Sequence, residues 1–144
     1  MKQVMALIIT SFMMLGCTIY IDRGLKPVAG PEWEINNLLA TYKCENVEVF
    51  AGDIHTSTLT IIGPVIPVKT PGTRTLNITY IGMSYCPTVT LNDADLVLMD
   101  HLENSNQTKC SYQVEKKAIQ KETKVTFKIQ DSECIPPPLF YDKY

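Results

Sequence analysis

Lys124-Val125-Thr126-Phe127-Lys128-Ile129 decides the fold class. Val125, Phe127 and Ile129 alternate strictly with Lys124, Thr126 and Lys128. A strand turns successive side chains to opposite faces, so this stretch describes one apolar face and one wet face. Cys110-Ser111-Tyr112-Gln113-Val114-Glu115 repeats the pattern.

The same signal recurs toward the N-terminus. Leu76, Ile78 and Tyr80 alternate with Thr75, Asn77 and Thr79, and Leu59 and Ile61 with Thr58 and Thr60. Val47 and Val49 flank Glu48, and Val89 and Leu91 mark a short strand. Residues 96–99 are apolar at successive positions, as expected of a more central strand. Asn92-Asp93-Ala94-Asp95 and Glu103-Asn104-Ser105-Asn106 carry turn chemistry between strands. About seven short strands separated by turn-rich segments suggest an all-β, immunoglobulin-like β-sandwich. One short N-terminal helix is expected over residues 31–42. There Ile35, Leu38, Leu39 and Tyr42 fit the helical template, Pro31 suits a first turn, and Glu32 and Glu34 suit the positive end of the dipole. Such a stripe is far more often core packing than a partner-binding face.

The start of the chain has a different character. Lys2 supplies a positive charge, an apolar run follows from Val4 to Leu15, and Gly16 precedes Cys17. A charged start, an apolar run of this length and a small residue at its end describe a secretory signal peptide, too short for a comfortable membrane span. Met14-Leu15-Gly16-Cys17 resembles the lipobox of bacterial lipoproteins. That resemblance covers the leader and Cys17 alone. It implies cleavage after residue 16, lipidation of Cys17 by diacylglycerol and an amide-linked acyl chain, and a bacterial cell-envelope location. Each buried CH₂ contributes about 0.8 kcal/mol, so two or three acyl chains anchor stably where one does not. Thr18 stands where the family's inner-membrane retention signal would place Asp, which implies the outer membrane, facing the periplasm.

On this reading 1–16 is a signal peptide, 17–30 a lipidated N-terminus and tether, 31–135 the β-sandwich domain and 136–144 a proline and aromatic tail. The mature chain has 144 minus 16, or 128, residues, enough for one domain with a real core. Removing Lys2 leaves 12 basic against 15 acidic side chains, a net charge of −3. No basic patch appears, so nothing favours nucleic acid as a partner. Once Cys17 is acylated, Cys44, Cys86, Cys110 and Cys134 remain. Four widely spread cysteines in an exported chain read as two disulfides, with three connectivities open. Structural zinc prefers close ligand pairs, so no metal is expected.

Two segments are candidates for interaction. Ile61-Ile62-Gly63-Pro64-Val65-Ile66-Pro67-Val68 is apolar and broken by proline, with Val65 and Ile66 at its middle. Its bland alternative is a plug over one end of the core. Ile135-Pro136-Pro137-Pro138-Leu139-Phe140-Tyr141 favours polyproline II and offers Phe140 and Tyr141 to a partner, or else packs on its own domain near Cys134.

No constellation for chemistry emerges. Asp53, His55 and Ser57 lie on alternate positions without forming a triad, and nothing resembles a nucleophile elbow. His101 beside Asp100 reads as a solvated loop pair, and Asp93 with Asp95 lacks the other oxygens of a calcium loop. No catalytic residue and no cofactor is expected. Asn77-Ile78-Thr79 and Asn106-Gln107-Thr108 are glycosylation sequons, ordinarily inert in a bacterium. The expected function is a non-enzymatic structural or protein-interaction module, held at the membrane by its lipid and meeting an envelope protein. The alternative is a periplasm-facing ligand-binding or inhibitor domain.

Overall fold

The computed structural model describes residues 16–62, 67–69, 73–130 and 132–143, with backbone alone over 16–23, 57–62 and 67–69. The chain is all-β, and no α-helix occurs among the described residues. The strands are β1 (Gly16–Ala29), β2 (Glu34–Asn36), β3 (Leu39–Cys44), β4 (Val47–Ile62), β5 (Pro67–Lys69) and β6 (Arg74–Ile81). After them come β7 (Thr88–Leu91), β8 (Ala94–Asp95), β9 (Val97–Glu103), β10 (Gln107–Gln113), β11 (Thr123–Lys128) and β12 (Leu139–Lys143). A 3₁₀ turn, Lys116–Ala118, lies between β10 and β11.

Two compact units divide the chain. One comprises Met1–Asp22 and Thr56–Thr73. In it β4 and β5 form an antiparallel hairpin, pairing Thr60 with Lys69, Ile61 with Val68 and Ile62 with Pro67. The other comprises Arg23–His55 and Arg74–Tyr144.

In the larger unit the sheet runs β8-β7-β11-β12-β1-β4-β6-β10-β9. Its two ends are consecutive in the chain. Residues 94–95 pair with β7, Leu96 donates its amide to the Val89 carbonyl at 2.8 Å, and residues 97–103 then pair with β10. One continuous segment thus joins both ends of the sheet, which curls into a nearly closed barrel. The turn at its start is Asn92-Asp93, with φ of 49° and 67°. Positive φ at both central residues suits a tight hairpin turn, and Asn and Asp tolerate it.

The core confirms the alternation. Leu76, Ile78 and Tyr80 of β6, Tyr112 and Val114 after Cys110 of β10, and Val125 and Phe127 of β11 are all buried. Burying each such side chain contributes about 1.5–3 kcal/mol. Trp33 closes one part of this core between Tyr42 and Phe127, with ring centroids 5.6 Å from each. Its indole N–H donates to the Pro137 carbonyl at 2.9 Å, and so holds the triple-proline segment against the barrel.

Several expectations need correction. In place of a seven-stranded sandwich there is one sheet of more numerous strands, nearly closed into a barrel, and the strands expected around residues 47–49 and 58–61 are both parts of β4. Alternation with one wet face is common to both architectures, so it does not distinguish them. The helix over residues 31–42 is a β2–β3 hairpin instead, with Asn37 at φ 57° in its turn. Ala40 and Tyr42 are buried at period two, and β3 pairs with β4 from Ala40–Ala51 to Cys44–Val47. That sheet pairing overrides a stripe only a few residues long. Of residues 17–30, expected as a tether, all but Gly30 belong to β1, which pairs with β12 and buries Leu25. The expected tail over 136–144 contains β12, which lies between β11 and β1 inside the sheet. The domain therefore reaches beyond both ends of 31–135.

Candidate functional site

β9 is the exception to the alternation. All seven of its residues are exposed, including Val97, Leu98, Met99 and Leu102. The apolar run over residues 96–99 suggests a central strand, and the structure places β9 at a sheet edge instead. Among the described residues β10 is the only strand that pairs with Val97–Glu103. One row of backbone N–H and C=O groups along β9 is therefore without a strand partner among the described residues.

The pairing with β10 sorts the side chains. Val97, Asp100 and Leu102 stand opposite Gln113, Ser111 and Lys109, on the outer face. Leu98, His101 and Glu103 stand opposite the buried Tyr112, Cys110 and Thr108, on the face that continues the core. A bulge between Ser111 and Tyr112 in the register leaves Met99 without an opposite residue. The core thus stops at β10, and the inner face of β9 meets solvent.

Beside the start of β9 lies a cleft of about 450 Å³. Leu91, Leu96, Val97 and Ala118 supply apolar walls, and Gln113 and Gln120 supply polar ones. Asn92 holds the cleft in shape. Its side-chain amide donates to the Ala118 carbonyl at 2.9 Å, and its side-chain oxygen accepts from the Lys124 amide at 2.8 Å. Two ion pairs border it, Lys117–Glu115 at 2.7 Å and Lys128–Asp95 at 2.9 Å. A hollow of mixed apolar and polar lining, next to a strand edge with no partner among the described residues, suits recognition by strand addition, in which main-chain bonds give affinity and a pocket gives specificity.

The four cysteines form two disulfides, Cys44–Cys134 and Cys86–Cys110. The first joins β3 to the segment ahead of β12, and the second joins the segment ahead of β7 to β10. Disulfides of this kind belong to an oxidising, extracytoplasmic compartment.

The other residues singled out by sequence are dispersed. Cys17 is the second residue of β1. Val65 and Ile66 lie outside the described residues. Phe140 is exposed, whereas Tyr141 is buried and donates to the Gly52 carbonyl at 2.8 Å, so the two do not form one surface. His55 Nδ1 lies 3.5 Å from Asp53 Oδ1 on β4. His101 and Asp100 are on β9, on opposite faces, and Asp95 is engaged by Lys128. No group of three metal-binding side chains occurs among the described residues.

No sequence motif marks the buried tyrosines as a group. Tyr112 donates to the Pro87 carbonyl at 2.7 Å, and burial pushes its phenol up to about 12. Burial raises Tyr80 and Tyr141 as well, with the Asp53 charge adding to Tyr141. The Tyr80 hydroxyl has no hydrogen-bond partner among the described residues.

No family model matches the chain, and no curated protein or solved structure is significantly similar to it.

Proposed function

We propose that this chain is an exported, non-enzymatic interaction module that binds an extended segment of another protein along β9. The open edge of β9, exposed at every position and flanked by the cleft, carries this reading. Natural edges are usually blunted, and β9 is only partly so, by one bulge and by Asp100, His101 and Glu103.

We also propose that Cys17 carries the lipid anchor. β1 and β4 are neighbours in an antiparallel sheet, and Gly24 lies against the Ile54 carbonyl. Cys17 and the β4–β5 hairpin fall in the same compact unit. The acyl chains and the hairpin would then face the same bilayer.

A photo-reactive side chain at Leu102, in native membranes, tests the docking strand. The expected adduct maps to an extended segment of one partner, is absent from a probe at Glu122, and is lost when Val97→Lys is added. Adducts of equal yield from both positions would refute it. Intact mass tests the anchor: loss of residues 1–16 with added acyl mass supports it, and an unmodified Cys17 thiol rejects it.

The ligand-binding alternative has the cleft in its favour. It requires a small molecule to bind there independently of β9, which Ala118→Trp would block and Leu102→Lys would not.

A further inference from the structure

The charge pattern of the open edge says what kind of strand fits it. β9 carries Asp100 and Glu103, one on each face, and no lysine or arginine. Among the described residues neither carboxylate makes an ion pair. Across β10, Asp100 faces the neutral Ser111. Apolar side chains stand beside them on both faces, Leu98 on the inner and Val97 and Leu102 on the outer.

A second copy of this chain is a poor occupant. Antiparallel pairing of two β9 strands adds no lysine or arginine to the edge, and a register that sets Asp100 or Glu103 against its own copy brings two carboxylates together on one face. Like charges facing each other across strands destabilise the pair. The bulge at Met99 also breaks the regular spacing that two identical strands would share.

We infer that the occupant is a heterologous extended segment that sets a lysine or arginine against Asp100 and apolar side chains against Leu98 and Leu102. The inference rests on the strand-docking reading above and adds the chemistry of the partner. The apolar side chain at the Val97 end is the one the cleft receives. The cation supplies orientation, because only one strand direction sets it against Asp100 while an apolar residue reaches the cleft.

Synthetic strands of valine and threonine carrying a single central lysine, or a single central glutamate, serve as probes for the disulfide-bonded domain. The lysine peptide is expected to bind about fivefold or more tightly than the glutamate peptide, since facing charges change sign between them. Amide shifts should concentrate on Val97–Glu103. Asp100→Lys should reverse the preference while leaving the unfolding midpoint unchanged, because Asp100 is exposed. Equal binding of the two peptides, or shifts centred away from β9, overturns the inference. So does a concentration-dependent dimer that Leu102→Lys abolishes. If the Leu102 probe captures a partner strand without basic residues, the charge inference fails and the docking reading stands. If that probe captures nothing specific, the docking reading itself fails.

Discussion

Replacing the cysteines of one bridge at a time by alanine gives a ranking that the structure fixes. The Cys44–Cys134 bridge closes a separation of 90 residues and Cys86–Cys110 one of 24. On a chain-entropy account a crosslink stabilises by restricting the unfolded ensemble, to an extent that grows with the logarithm of the loop. That gives about 4.6 kcal/mol for the longer loop and about 3.5 kcal/mol for the shorter. Both double replacements delete the same atoms, and each bridge has one buried sulfur and one half-buried sulfur. Packing losses therefore cancel to first order, leaving a difference of about 1 kcal/mol. Trp33, the only tryptophan and a buried one, reports unfolding by fluorescence in urea. Cys44→Ala with Cys134→Ala should be the less stable variant, and both should show steeper urea dependence, because an uncrosslinked denatured chain exposes more surface. A larger loss from Cys86→Ala with Cys110→Ala would refute the entropic reasoning. It would mean that native packing around the buried Cys110 dominates.

Three further outcomes follow from the core. Tyr112 holds its proton to about 12 when folded but to about 10 when unfolded, so the folded state binds more protons above pH 10. The stability this difference contributes, at most about 3 kcal/mol, is complete below pH 10 and lost as pH rises through about 12. Alkaline unfolding should be steep in the wild type and shallower in Tyr112→Phe, read by circular dichroism against pH. Trp33→Ala removes two aromatic contacts and the bond to Pro137, and should cost about 3–5 kcal/mol in urea unfolding. Gly82 sits at φ +82°, where an added Cβ would collide with the Asn46 carbonyl oxygen, so Gly82→Ala should lower the melting temperature although the site is not in the core.

Much of the fold was legible because burial imposes a period that a short window reveals. Val125 and Phe127, Leu76 and Ile78, and Cys110 and Tyr112 all fall on the inner face by alternation alone. Alternation is silent on which strands are neighbours. Nothing local in Leu139-Phe140-Tyr141 says that it will lie between β11 and β1, because that pairing is set by partners distant in sequence. The helix over residues 31–42 fails for a related reason. Its stripe is too short to outweigh the pairing of Ala40 and Tyr42 with β4. The candidate site misleads in the opposite sense. An unbroken apolar run suggests burial on both faces, yet Asp100-His101 follows it directly within the same strand. A carboxylate two residues from Leu98 is costly on a doubly buried strand. That juxtaposition is the local signal for an edge.

The open edge and the proposed lipid anchor would address the same energetic problem. Seven exposed residues on one strand make a smaller contact than the roughly 1,600 Å² of a standard stable interface, so docking on β9 alone is expected to be weak. Confining both proteins to one membrane replaces part of the association cost by a high local concentration, without any new contact. A Cys17→Ser form in solution should therefore bind its partner's isolated segment with the same affinity as the acylated form. It should nevertheless lose the partner in cells, where the two are no longer held together. Titration of the segment into both forms, beside crosslinking yield from Leu102 in intact cells, separates these quantities. An unchanged yield from the unanchored form would mean that the protein binds strongly enough without its lipid. Binding of that strength would need a larger interface than the edge and cleft provide.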